Sequence, residues 1–413
     1  MIKILPGLAV ALMFPLFYLF LQIAIEMEAP SSTASYTSRA LAVAIMGLLF
    51  FYSFQNGRLK AKWSMLHLSL LVFMVLYGFR IFTLNDETSW KLDVEHYPFF
   101  KVSMLFIFGS IAPFVMAMFS AKLFVLRSTS TTFMSLTFLS VVVVAILNLD
   151  QFGVFRTMGY NAGTIASLSM GYLAALAVGF CLLDFLRLKR FPVAIIVFVL
   201  VCAEYLLSVS ASRGPLLALV ISAIYLILTM RKTFANLASS IIGAVGVAAG
   251  SWWFFNFSGS GIIDRIDQTD GEEVRLDLYT EAIATIESNI LFGKDIVLSN
   301  GYWPHNFVLE ALMAVGVFGL LFIVPWMFAL VKIIVDSKDD DRQWLYLWFL
   351  QTTVMNMFTE AIWAGSSLFI CLCLVLGGGE LTKTRSRSRS KRRRRKRRSS
   401  DRVQESFGEI HTK

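Results

Sequence analysis

Charge is scarce in this 413-residue chain, and cysteine more so. Only 16% of the residues are Asp, Glu, Lys or Arg, whereas 57% are hydrophobic and the mean hydropathy is +0.67. That is too apolar for a soluble domain and places the chain among multi-span membrane proteins. The four cysteines, Cys181, Cys202, Cys371 and Cys373, all fall inside apolar runs. They supply neither a disulfide framework nor a zinc-ligand spacing, and read as small packing residues. The net charge of +9 is concentrated at one end. Residues 380–413 hold fourteen Lys/Arg against Glu380, Asp401, Glu405 and Glu409, so the remaining body is close to neutral.

Apolar runs long enough to cross a bilayer occur at about 4–25, 38–54, 64–84, 99–120, 132–149, 164–183, 192–210, 215–230, 234–255, 304–331, 343–358 and 361–378. The sequence therefore predicts an all-α polytopic membrane protein of about 12 transmembrane helices. The first run is too long for a signal-peptide core and no small-residue cleavage site follows it, so it reads as an uncleaved anchor.

Loop charges give the orientation. With the N-terminus inside, cytoplasmic segments receive Arg58, Lys60 and Lys62; Lys122 and Arg127; Arg187, Lys189 and Arg190; Arg231 and Lys232; and Lys332, Lys338 and Arg342. Outside segments receive Glu26, Glu28, Asp86, Glu87, Asp93 and Glu95. The expected layout is a transmembrane domain over 1–379 with both termini cytoplasmic. Residues 380–413 form a basic, disordered cytoplasmic tail that anionic lipid attracts, and no nucleic acid is expected there. One outside loop, 256–303 between the ninth and tenth helices, is out of scale with the others, and loops of that length carry function or are disordered. Its helical pattern and Trp303 favour function.

Three cations are expected at the outer face. Arg213, in "SVSASRGPLLAL", lies between a helix ending near Ser210 and one starting at Pro215, beside N–H groups that favour an anion. It reads either as an anion ligand or as an interfacial arginine that snorkels. Arg275, in "TDGEEVRLDLYTEAIATIESN", falls on an apolar helical arc with Leu278, Ala282 and Ile286, after a capping box at Asp270 and Glu273. A cation on a packed face needs an anion, from a carboxylate or a ligand. His305 and Asn306 are predicted in the first turn of the tenth helix behind Pro304. A histidine there is either a satisfied polar group or a general base, with Glu310, one turn deeper, as its competitor. No second histidine or cysteine stands at ligand spacing, so no metal is expected. Glu204 and Glu360, at membrane depth, are functional or else pair with Arg213 or Arg275. Together these groups describe a site for a doubly charged anion beside an acid–base group. On an outer face, that anion is a lipid-linked phosphate or pyrophosphate.

The order "SRGPLLAL", then "VRLDLYTEAIATIESNILFGKD", then "HNFVLEALMAVGVFGL" resembles the O-antigen polymerase and ligase superfamily of bacterial surface glycan assembly. The features carrying the resemblance are Ser212–Arg213–Gly214, Arg275 with Tyr279 and Phe292–Gly293, and His305–Asn306 with Gly316 and Gly319. It covers about residues 205–325; Tyr279 stands where the family often has tryptophan, and the loop is short for a ligase. The resemblance implies a metal- and cofactor-independent class C glycosyltransferase of the bacterial inner membrane, its active site facing the periplasm. The donor is an undecaprenyl-pyrophosphate-linked glycan and the acceptor a glycan or lipid-linked glycan. Arg213 and Arg275 would bind the pyrophosphate, His305 would activate the acceptor hydroxyl or hold the leaving group, and Asn306, Tyr279, Glu310 and Arg265 would bind substrate. A chain-length regulator and a flippase are candidate partners. The short loop favours a polymerase over a ligase. A transporter would carry inverted repeats or broken helices near the midplane, and deep charges; the sequence displays no convincing internal repeat, and Arg213, Arg275 and His305 cluster at one surface.

Overall fold

The structure, a computed structural model, describes residues 3–29, 31–56, 64–83, 99–124, 126–149, 163–210, 212–229, 270–299, 301–336 and 342–377. Within those residues every regular element is a helix. In chain order these are α1 (Leu5–Met13), α2 (Pro15–Glu26), α3 (Ser31–Gln55), α4 (Met65–Thr83), α5 (Phe99–Phe106), α6 (Ala112–Phe124), α7 (Arg127–Leu147), α8 (Gly163–Leu183), α9 (Val193–Ser210), α10 (Arg213–Thr229), α11 (Asp270–Ser288), α12 (Phe307–Val315), α13 (Leu320–Val335), α14 (Gln343–Phe358) and α15 (Ser366–Gly377). Ten of the twelve expected apolar segments fall on these helices; 304–331 folds back between α12 and α13, and 234–255 lies outside the described residues.

Seven helical runs among the described residues are long and apolar enough to cross a membrane, or eight if the bent pair α1–α2 is one span; one of the seven, Phe307–Val335, holds both α12 and α13. Their surfaces suit lipid. On α4, Val72, Val75, Phe79 and Phe82 are exposed, while Phe73, Met74, Tyr77 and Ile81 are buried. Helix α13 likewise exposes Val324, Met327, Phe328 and Val331 and buries Ile323, Ala329 and Ile333. A helix apolar on both its packed and its open faces belongs in hydrocarbon. At the centre, α14 is buried along almost its whole length, as is α8 from Met170 to Leu183. Gln351 Nε2 of α14 donates there to the Ala175 carbonyl at 3.1 Å and to Ser222 Oγ at 2.9 Å.

Proline accounts for several irregularities. The first apolar segment bends by 54° between α1 and α2, where Pro15 opens the second helix and has no N–H to continue the first. Residues Ile107–Ile111 form a π turn joining α5 to α6; Pro113, four residues beyond Gly109, cannot donate to its carbonyl. Pro325 inside α13 likewise frees the Leu321 carbonyl, and Ser69 Oγ of α4 donates to it at 2.7 Å.

The predicted tenth helix, 304–331, is not one rod. Phe307 and Phe322 would stand about 22 Å apart along a straight helix, yet their ring centroids are 5.4 Å apart. Phe307 also meets Trp326 at 5.1 Å. The chain rises through α12, turns over a 3-10 segment at Gly316–Gly319, and returns as α13. Gly316, at φ +61°, ends α12 in a conformation open only to glycine. Helix α12 runs in the same direction as α4, since Tyr77 reaches Glu310 and Arg80 reaches Ala314.

Candidate functional site

The site is built around the turn at 359–365, between α14 and α15. The Thr359 carbonyl accepts from Trp303 Nε1 at 3.3 Å and from His305 Nδ1 at 3.2 Å. Two residues on, the Ile362 N–H donates to both carboxylate oxygens of Glu310 at 3.0 Å. Trp363 stands edge-on to Trp303, centroids 6.0 Å apart, and the Ala364 carbonyl accepts from Arg39 Nη2 at 3.5 Å.

His305 precedes the helix rather than lying in its first turn. Helix α12 begins at Phe307, and Asn306 is its N-cap, its side-chain oxygen accepting from Val308 N at 3.0 Å and Leu309 N at 3.2 Å. Two of the free N–H groups expected to face an anion are therefore taken by the chain itself. His305 adopts a left-handed backbone, φ +49°, which costs a non-glycine residue on the order of 1 kcal/mol. The ring's contacts with Thr359 and Trp303 hold it there. A carbonyl can only accept, so Nδ1 carries the proton and Nε2 keeps a lone pair in the neutral ring. Burial lowers the His305 pKa below the ordinary 6.5, and the Arg275 cation lowers it further against the opposing pull of the Thr359 carbonyl.

His305 also lies alongside the middle of α4 and not at its end. Phe307 packs on Phe322, which stacks on Phe73 at 5.0 Å near the middle of α4. The chain at His305 is thus recessed about 15 Å below the Thr83 end of α4.

Arg275 keeps its expected helical register but not its burial. Leu278 and Ala282 of the same face are buried against Leu298 and Met313. The first turn of α11 projects past that contact, and Arg275 is exposed. Its guanidinium carbon lies 6.0 Å from the ring centroid of Phe358, at the end of α14. Helix α11 already includes Asp270, and the side chains of the expected capping box lie outside the described residues.

Arg213 opens α10 two residues earlier than expected and is exposed. Its neighbour Gly214 has no room for a Cβ because the Tyr172 hydroxyl of α8 occupies that position. Tyr172 is in electrostatic reach of both Arg275 and Glu360 and faces Thr359. The segments bearing Arg213, Arg275 and His305 therefore meet at one end of the bundle. Tyr279 is half-buried on α11. Arg265 lies outside the described residues.

Glu310 takes a structural position. It is fully buried, and besides the Ile362 N–H it accepts the Tyr77 hydroxyl of α4. Both oxygens are committed to protein donors. Glu360 was expected either to be functional or to pair with Arg213 or Arg275; the cation that acts on it is Arg39 of α3. Burial raises the Glu360 pKa to about 7 against the lowering effects of Arg39 and of Asn356, whose Nδ2 donates to it at 3.4 Å. Glu204 is half-buried on α9.

Sequence reasoning missed Arg39 and the 359–365 turn. Arg39 was legible as an arginine at the start of the apolar run 38–54; its guanidinium nests between Gly109 of the π turn and the Phe17 ring, 5.8 Å from that ring's centroid. The turn reads in sequence as an ordinary connection, and its importance lies in main-chain groups that composition does not reveal. Comparison with models of protein families, with curated proteins and with solved structures returns no match for this chain.

Proposed function

We propose that this chain is a membrane glycosyltransferase that polymerises undecaprenyl-pyrophosphate-linked oligosaccharide repeats into a surface polysaccharide. In this reading it has about twelve crossings in the bacterial inner membrane, α13 being the tenth, with both termini cytoplasmic and the 359–365 turn towards the periplasm. The observation that carries the reading is His305: its Nδ1 is committed to the Thr359 carbonyl at 3.2 Å while Arg275 acts on the ring.

The chemistry follows from that arrangement. The acceptor hydroxyl gives its proton to His305 Nε2 as its oxygen forms the new bond to the donor's anomeric carbon. The bond from that carbon to the pyrophosphate oxygen breaks, and the electron pair leaves with undecaprenyl pyrophosphate. Negative charge grows on the pyrophosphate, and the fixed guanidinium groups of Arg275 and Arg213 stabilise it. A recessed base lets acceptor and lipid-borne donor meet out of bulk water, where such interactions are stronger.

Deleting the gene and examining the surface glycan tests the reading. A single-repeat product supports a polymerase. Lipid-linked polymer beside a bare acceptor indicates a ligase. Two observations favour a second reading, transport of the lipid-linked glycan: the half-length helix α12 and the bend between α1 and α2 are the broken elements transporters use. In that case deletion leaves the repeat unit on the cytoplasmic leaflet.

A further inference from the structure

Arg80 stands outside the groups just described, yet it holds together the two segments that carry Arg275 and His305. It sits one turn from the end of α4. Its Nε donates to the Ala314 carbonyl at 2.9 Å, and its Nη2 donates to the carbonyls of Phe292 at 2.8 Å and Gly293 at 3.1 Å. Ala314 is in the last turn of α12, where carbonyls have no intrahelical partner. Phe292 and Gly293 follow α11. One guanidinium thus bridges the end of the loop helix and the end of the folded-back helix, using the fork geometry that lysine lacks.

The backbones beneath it interlock. Lys294 N donates to the Met313 carbonyl and Val317 N to the Ile290 carbonyl, each at 2.8 Å. Both crossing points are glycines with left-handed φ, Gly293 at +64° and Gly316 at +61°. A Cβ on Gly293 would lie 2.5 Å from the Val315 nitrogen, and one on Gly316 2.6 Å from the Leu291 carbonyl carbon. Leu278 and Ala282 of α11 pack against Met313 and Leu309 on the same side, and Glu281 Oε1 accepts from Ser299 N at 2.6 Å. Side chain, main chain and apolar contacts all join α11 to α12.

We propose that Arg80 is a positioning residue that clasps α11 to α12, so that the loop helix is a fixed wall of the site and not a lid. Arg275 rides on α11 and His305 immediately precedes α12. The clasp therefore sets the separation of cation and base without touching substrate. The functional part of this inference rests on the glycosyltransferase reading; the clasp itself does not.

The test uses Phe292 and Phe318, whose rings stack across the junction at 6.0 Å and are 62% and 40% exposed. The full-length F292C/F318C protein is treated in membranes with a short bifunctional maleimide, with each single variant as a control for native cysteines. Rapid cross-linking with polymer formation retained is expected, and cross-linking that silences activity overturns the fixed wall. Arg80→Ala in the same background is expected to slow cross-linking several-fold and to reduce activity on the order of 10²-fold, the effect of an ångström-scale misplacement. The cross-link should then restore most of that activity. An unchanged cross-linking rate in the Arg80→Ala protein overturns the clasp, whatever reaction the protein catalyses. Slowed cross-linking with activity that the completed cross-link fails to restore overturns the positioning role. If the parent shows no glycan polymerisation at all, the functional reading fails, while the cross-linking rates still decide the clasp.

Discussion

The Nδ1 of His305 and the carbonyl of Thr359 are 3.2 Å apart, and this contact sets the chemistry open to the ring. It commits one nitrogen as a donor and leaves Nε2 as the basic atom. Because the His305 pKa is lowered from 6.5, the ring is neutral at pH 7. Activity should therefore fall as the pH drops through a value below the ordinary 6.5. His305→Ala should lose activity by a factor on the order of 10² to 10⁴, as for removal of a general base. His305→Gln should behave like the alanine variant and show no acid limb; activity restored by glutamine would make His305 a positioning residue.

Arg275 is exposed but directed by α11 towards Phe358 and the His305 turn. Arg275→Ala should abolish polymer while the protein remains inserted in the membrane, and Arg275→Lys should rescue poorly because an ammonium cannot make the two-pronged phosphate contact. Arg213→Ala should give the same phenotype. Glycan ladders from complemented deletion cells provide the measurement, and a near-normal ladder from the Arg275→Ala strain removes that residue from the site.

Glu310 separates a structural carboxylate from a catalytic one. Glu310→Ala leaves the Ile362 N–H and the Tyr77 hydroxyl buried without their acceptor, at about 1–3 kcal/mol each. A large fall in the melting temperature of the detergent-purified protein is expected. Glu310→Gln keeps an accepting oxygen and should retain activity within about tenfold. Loss of activity at unchanged melting temperature in the glutamine variant would return Glu310 to the role of base.

Glu360 gives stability a pH dependence of definite sign. Its pKa is about 7 in the folded protein against 4.5 as the reference value, so between those values the folded state binds more protons than the unfolded state. Stability should fall as pH rises from about 4.5 to about 7. Glu360→Gln mimics the protonated acid and should flatten that part of the profile in thermal melts; an unchanged slope would show that Glu360 does not carry it.

Helical segments, and the segments that would meet at the site, were legible because apolar runs and the "SRG", "VRLDLY" and "HN" stretches are local features. The reversal at Gly316–Gly319 was not. Residues 311–331 are uniformly apolar, and hydropathy is blind to whether a chain continues or turns back. The available signal was the pair Gly316 and Gly319 within that run together with Gly293 in the loop, all of which meet neighbouring backbone. Arg275 was read as buried because periodicity specifies a face; it cannot specify where along that face the partner helix stops. The charge partner of Glu360 was not legible for a related reason. Its cation, Arg39, is remote in sequence and reaches the site through the packing of α3 on Gly109.

Purified protein in a lipid bilayer, supplied only with a radiolabelled undecaprenyl-pyrophosphate-linked repeat unit, gives the most direct measurement. The account predicts lipid-linked products of two or more repeats with stoichiometric release of undecaprenyl pyrophosphate, lost in the Arg275→Ala and His305→Ala proteins. Donor that stays at one repeat with the native chain, or chain growth that persists in both variants, would contradict it.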